Sequence, residues 1–96
     1  MTLEQLRQRI DELDEDLVRL LNERASCALQ IGEIKKTMGL PMYQPEREAE
    51  VLRRVRAASV ALSGPLGPEA IARLFERVID EARGLELKAV RDSVRG

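Results

Sequence analysis

Residues 3 to 38 leave the chain little choice of fold. Apolar side chains recur there at steps of three and four almost without a break: Leu3, Leu6, Ile10, Leu13, Leu17, Leu20, Cys27, Ile31, Ile34 and Met38. That spacing marks one face of a helix. In heptads, Leu3, Ile10, Leu17, Arg24, Ile31 and Met38 fall at a, and Leu6, Leu13, Leu20, Cys27 and Ile34 fall at d. Arg24 is the exception, a cation in the middle of an apolar seam, where burial is costly without a partner. At about 1.5 Å per residue the helix runs roughly 50 Å. A compact domain of this size has a radius of gyration of only about 13 Å. The helix therefore overhangs any core one chain can build, and its stripe continues along the overhang. A helical homo-oligomer is expected, most simply a two-fold dimer. The competing arrangement is a monomeric three-helix hairpin with a kinked first helix.

Charge narrows the function classes. The 96 residues carry 17 acids and 16 bases, a net charge of −1, with one Tyr, one Phe and no Trp. One small helical domain spanning 1–96 suits this balance. No basic face predicts a nucleic-acid partner. No apolar run is long enough for a membrane span, and the N-terminus reads as amphipathic helix and not as a signal peptide, so the expected location is the cytoplasm. A lone Cys27 excludes an internal disulfide and is expected to be a small core residue. Histidine is absent. A His-based triad, a His metal site and an imidazole base are thereby excluded, and no metal or other cofactor is expected.

Thr2 with Gln5 forms a capping box for the first helix, and Lys35 and Lys36 suit its C-terminal dipole before Gly39 and Pro41 end it. Gly32, inside the helix, costs about 1 kcal/mol relative to Ala; a close helix crossing or the approach of a ligand would account for it. Pro45 opens a second helix, about 45–62, with the stripe Val51, Leu52, Val55, Ala58 and Leu62. After a turn at Ser63-Gly64-Pro65-Leu66-Gly67, Pro68 opens a third, about 68–90, with the stripe Ile71, Leu74, Phe75, Val78, Ile79, Ala82 and Leu85, then fraying. The chain ends in charged residues at Arg95-Gly96, as a domain of a longer protein would.

Four charges stand where these patterns want apolar groups. Arg24 and Lys35, eleven residues apart, point within roughly 20° of each other and lie about 16 Å apart along the axis. Glu48 precedes Val51, Leu52 and Val55 by three, four and seven residues, so it heads the apolar face, with Arg47 at its edge. Glu86 follows Ala82 by four. Arg7 lies about 25 Å from Arg24 along the helix, too far to share a small ligand within one chain, but within reach of the other chain's site in an antiparallel dimer. Two cations in a mostly apolar pocket call for an anionic guest, and a dicarboxylate fits. No nucleophile or base stands out, which suits a protein that only folds, orients and electrostatically stabilises its substrate. Other roles remain open at each position: Arg24 as a register device across a dimer seam, Lys35 as a solvated helix end, Glu48 as a dipole partner, Glu86 and Arg7 as wet flanks.

The segments LRQRIDELDEDLVRLLNER, IGEIK, GLPMYQPEREAEVL and, more weakly, IARLFERVIDEA cover nearly the whole chain. In them the chain resembles the all-α chorismate mutases, and looks closest to the type fused to or partnered with DAHP synthase, which shares the Gly-Leu-Pro loop. The resemblance implies an intertwined dimer of three-helix chains with two equivalent active sites. It implies a Claisen rearrangement of chorismate to prephenate, in aromatic amino-acid (Phe/Tyr) biosynthesis, without cofactor or covalent intermediate. It places the partner-chain arginine on Arg7, the own-chain arginine on Arg24, the lysine on Lys35, and the second-helix pair on Arg47 and Glu48. The arginines would hold the carboxylates, Glu48 the ring hydroxyl, and Lys35 the ether oxygen and a carboxylate.

Three positions depart from the family pattern. Gln44 stands where several members have Asp, Ala82 where some have Ser, and Glu86 where some have Gln facing the ether oxygen. A carboxyl group donates only when protonated, so Glu86 is expected to need its proton for full activity. Two rival functions share these features: an isochorismate pyruvate lyase of the same fold, and a weakly active regulatory module docking to DAHP synthase. A plain dimerising coiled coil is a third, and it would not need Glu48 and Glu86 inside.

Overall fold

The structure, a computed structural model, describes residues 1–95. It is all-α: α1 spans Leu3–Met38, α2 Pro45–Leu62 and α3 Pro68–Arg95. Local chemistry sets these limits. Thr2 Oγ1 accepts from the Gln5 amide at 3.1 Å while Gln5 Oε1 accepts from the Thr2 amide at 2.9 Å, closing the capping box. Gly39 adopts φ 70°, and Leu40 N–H donates to the Lys35 carbonyl at 2.8 Å, which terminates α1. The left-handed residue ending α2 is Ser63, φ 54°, and not the neighbouring Gly64. The third helix continues to Arg95, past the expected fraying point near residue 90. Lys36 Nζ donates to Ser93 Oγ, so the end of α1 ties to this extension.

α3 is the central element. It packs against both α1 and α2, while α1 and α2 do not pack on each other among the described residues. A wedge is therefore left between the first two helices, walled on its third side by α3.

The buried faces differ in part from the expected stripes. On α1, the residues drawn in are Arg24, Ala25, Ala28, Leu29, Gly32 and Lys35. The small ones among them let α3 lie close. The heptad seam is rotated away from that contact: Ile10, Leu17, Leu20 and Ile34 remain about half exposed. Cys27 is likewise exposed and is not a core residue of the chain by itself. On α2, Ser59 is buried and Ala58 and Leu62 are exposed. Ser59 follows Val55 by one helical turn, and its hydroxyl donates to the Leu66 carbonyl at 3.1 Å, so burial leaves it satisfied. On α3, Ala72 is buried while Leu74 and Leu85 face outward.

The chain exposes 7668 Å². A compact monomer of 10.8 kDa would expose roughly 5,500 Å². The radius of gyration is 16.7 Å, with a longest extent of 53 Å. On the apolar seam of α1, Leu3, Leu6, Ile10, Leu13 and Leu17 are all exposed.

Candidate active site

The wedge holds a cavity of about 400 Å³, within the range that takes a small metabolite. α1 contributes Arg24, Cys27, Ala28, Ile31 and Lys35 to its wall. The 39–44 loop contributes Met42 and Gln44, α2 contributes Arg47, Glu48 and Val51, and α3 contributes Ile79, Ala82, Arg83 and Glu86. Seven of the eight residues singled out from the sequence thus meet at one cavity: Arg24, Lys35, Gln44, Arg47, Glu48, Ala82 and Glu86. Arg7 does not line it.

The helical repeat explains the convergence. Arg24, Ala28, Ile31 and Lys35 follow one another at three- and four-residue steps on one face of α1. On α3, Ala82 and Arg83 follow Ile79 by three and four residues and precede Glu86 by four and three, so all four share one face. Gly32 is buried beside them; a Cβ there would meet Glu86 Cγ at 3.5 Å and Met42 Cε at 3.6 Å, both ordinary contacts. The close approach at Gly32 is therefore of two flexible side chains and not of a backbone.

Lys35 is the best-enclosed cation. Its Nζ donates to the Met42 carbonyl at 3.1 Å and stands 4.0 Å from Glu86 Oε2. Both side chains are nearly buried, at 13% and 12% exposure. The ammonium is anchored by the loop, with donor capacity left for a guest. Arg24 is half-buried on the cavity wall and forms no ion pair among the described residues. Arg47 lies at the rim, where Nη1 pairs with Glu50 Oε1 at 2.6 Å in an exposed contact. Such surface pairs are weak and exchange readily for a better anion. Gln44 occupies the N-cap position of α2 without a side-chain capping bond; its carbonyl accepts from the Glu48 amide at 3.2 Å instead.

Glu48 is not an isolated carboxylate. Arg83 Nη2 donates to both of its oxygens, at 2.6 and 2.7 Å. Arg83 Nη1 reaches Asp80 at 3.1 Å, and the guanidinium carbon lies 5.1 Å from the Tyr43 ring centroid. The hydrogen bond to Glu48 raises the Arg83 pKa above its ordinary value, desolvation opposes it, and the charges of Glu48, Asp80 and Tyr43 add to the rise. Arg83 Nε is buried with no hydrogen-bond partner among the described residues. A donor left so is costly. Arg83 was not singled out from the sequence, although its position was informative: it follows Ile79 by four and precedes Glu86 by three.

The cavity wall thus carries four cations, Arg24, Lys35, Arg47 and Arg83, against two carboxylates, Glu48 and Glu86. With both carboxylates ionised, the lining residues carry an excess of two positive charges, while Glu50 and Asp80 pair with Arg47 and Arg83 from outside the cavity. That complements a small dicarboxylate.

Comparison with known proteins agrees with this chemistry. Residues 6–87 match the family "Chorismate mutase type II". The chain is 40% identical over 87 residues to a bifunctional chorismate mutase/prephenate dehydratase of Aquifex aeolicus, covering 90% of this chain and 24% of that protein. It therefore spans about a quarter of that relative's length. A chorismate mutase structure (form II) from Thermus thermophilus superposes with a TM-score of 0.82 at 33% identity, covering 88% of this chain and 92% of that one. A Helicobacter pylori chorismate mutase in complex with prephenate gives 0.77 at 33% identity, covering 93% of both chains. The bifunctional relative joins its mutase to prephenate dehydratase, and the two structures carry the mutase name alone. The expected association with DAHP synthase is not supported by these relatives.

Proposed function

The chain belongs to the type II chorismate mutase family, and we propose that its cavity binds chorismate and rearranges it to prephenate. The observation that carries this is the cavity's set of charged groups: four cations, Arg24, Lys35, Arg47 and Arg83, against two carboxyl groups, Glu48 and Glu86. Chorismate is a dicarboxylate. Its Claisen rearrangement breaks a C–O bond and makes a C–C bond within one molecule, so no proton, electron or leaving group passes to the protein. A site without a nucleophile suffices. What it must supply is a compact substrate conformer and fixed charge near the ether oxygen as the C–O bond lengthens.

The roles are those that the family resemblance implies. Arg24 holds a substrate carboxylate. Lys35, anchored by the Met42 carbonyl, donates to the ether oxygen and a carboxylate. Glu86, on the same wall, donates to the ether oxygen as well when it carries its proton. Glu48 accepts from the ring hydroxyl; the bond from Arg83 uses only part of its acceptor capacity. Arg47 and Gln44 close the rim, and Ala82 supplies apolar wall.

A second copy of the chain completes the site. The surplus of roughly 2,000 Å² over a compact monomer is what one protomer buries in a permanent dimer interface. The exposed apolar seam of α1, the helix that carries Arg7, offers a face for such an interface. In an antiparallel, intertwined dimer Arg7 of each chain enters the other's cavity, which accounts for its absence from its own. Among the described residues no helix is long and apolar enough to cross a membrane; the substrate's pathway, Phe and Tyr biosynthesis, points to the cytoplasm.

Loss of chorismate absorbance, followed with purified wild type and Arg24→Ala alongside gel filtration, tests the assignment. Turnover to prephenate that falls about 100-fold in a variant still eluting as a dimer is expected. Pyruvate release from isochorismate without prephenate formation would instead indicate a lyase. No turnover by the wild type would remove the mutase assignment.

A further inference from the structure

Three features lie outside the roles assigned so far: the Arg83 cluster, a second hollow of about 370 Å³ between Arg73, Arg77 and Asp80, and the lone Cys27. The Arg83 cluster carries the furthest.

An unpaired carboxylate at a cavity wall prefers an ammonium to a hydroxyl, because the charge-assisted hydrogen bond is the stronger. Glu48 would therefore be a poor guard of a site meant for an alcohol. The structure changes that preference. Arg83 reaches across from α3 and holds both Glu48 oxygens at 2.6 and 2.7 Å. The guanidinium is in turn held by Asp80 at 3.1 Å and stacked 5.1 Å from the Tyr43 ring centroid. It cannot swing away cheaply when a second cation arrives. Asp80 is 60% exposed, so its charge is screened by solvent and does not cancel that of Arg83 on the cavity side. The remaining cations of the wall, Arg24, Lys35 and Arg47, outnumber the two substrate carboxylates and offer an incoming ammonium no relief.

We propose that Arg83 is a specificity-determining residue: by neutralising Glu48 with a fixed cation, it lets the site accept a neutral hydroxyl on the substrate ring and exclude an ammonium at the same position. Selection of this kind works through a repulsive element, and it rejects the wrong substrate more than it improves the right one. A hydroxyl needs only an acceptor lone pair, which a carboxylate held by one guanidinium nitrogen still has. An amine in its place is protonated at neutral pH and would put two cations on one carboxylate. This inference rests on the assignment of the cavity to chorismate and on Glu48 meeting its ring hydroxyl.

The test compares chorismate with its amino analogue, in which NH2 replaces the ring hydroxyl, using the purified dimer. Specificity constants are measured for both in the wild type, Arg83→Gln, Arg83→Leu and Arg83→Lys, each checked for helicity and dimer size. The wild type is expected to favour chorismate strongly. The two uncharged variants should shift the ratio toward the amine by roughly tenfold or more, whereas Arg83→Lys, which keeps the charge, should stay near the wild-type ratio. A folded Gln or Leu variant whose ratio remains within about twofold of wild type overturns the proposal, even if both activities fall together, since that is the signature of lost packing. A lysine variant that shifts as far as the uncharged ones overturns it too. The wild type supplies a reading independent of mutant folding: the amine's inhibition constant should exceed the KM for chorismate, and an inhibition constant at or below KM overturns the proposal. If the wild type converts no chorismate, the mutase assignment itself has failed, and this inference with it.

Discussion

Arg83 Nη2 donates to both oxygens of Glu48, at 2.6 and 2.7 Å, and so joins α3 to α2 along the cavity wall. The two residues are 35 positions apart in sequence. Their side chains are 35% and 27% exposed, neither surface nor core. At such depth a pair contributes more than an exposed ion pair and less than a buried one, so each alanine substitution is expected to cost about 1–2 kcal/mol. The double substitution should cost less than the sum of the singles, with a coupling of about 1 kcal/mol in a thermal-unfolding cycle at fixed protein concentration. Additive losses would show that the contact carries no stability. The pH dependence has a definite sign. A cation whose pKa is raised on folding adds stability below its unfolded value and loses it only as pH climbs through the raised one. The Arg83 contribution should therefore be level through neutral pH.

Glu86 shares its wall with Lys35, Nζ to Oε2 4.0 Å. In the proposed mechanism it donates to the ether oxygen, which a carboxyl group does only while it carries its proton. Glu86→Gln, which keeps a donor at the same place, is expected to retain activity, whereas Glu86→Ala, which donates nothing, should lose about 10- to 100-fold in the specificity constant for chorismate. Equal losses in the two variants would remove Glu86 from the donor role.

Leu13 and Leu17 stand exposed on α1 in the single chain. Leu17→Glu places a charge in the seam and is expected to shift the protein from dimer to monomer in sedimentation, with loss of helicity and of turnover together. Arg7→Ala tests the contribution proposed for the partner chain across that seam. It should remain a dimer and lose about 10- to 100-fold in the specificity constant, the value of a charge-assisted contact to a carboxylate. A dimeric Arg7→Ala enzyme with wild-type turnover would show that the partner's arginine is not used.

Two helix ends adopt the left-handed conformation, Gly39 at φ 70° and Ser63 at φ 54°. Gly39→Ala puts a Cβ where it is disfavoured and should destabilise the fold by about 1 kcal/mol. Ser63→Gly relieves the same strain, partly offset by the greater freedom of glycine in the unfolded chain. A net gain of about 0.5 kcal/mol is expected, or a Tm rise of about 2–4 °C. A lower Tm for Ser63→Gly would mean that the serine is held there by something other than its backbone geometry.

Much of this site can be read without coordinates. Arg24, Lys35, Glu48 and Glu86 betray themselves by standing on apolar helix faces, and a 3.6-residue repeat is enough to find them. Arg83 does not, because its meaning depends on Glu48, and nothing local to α3 shows that Glu48 lies opposite. Cys27 and Ala58 lie exposed in the single chain for a related reason: apolar periodicity says that a face wants cover, but not which neighbour covers it, or whether that neighbour belongs to the same chain.

The three helices, most of their ends and the charges that point inward are written locally in the chain. They follow from interactions between residues a few positions apart, such as the Thr2–Gln5 capping box and the left-handed turn at Gly39. Other features arise only in the packed molecule: α3 lies centrally, the small-residue face of α1 packs against it while the heptad seam stays outside, and Arg83 grips Glu48. Each of these depends on the relative register and rotation of helices distant in sequence. Register is set by the summed packing of whole faces, and a local repeat carries no record of it.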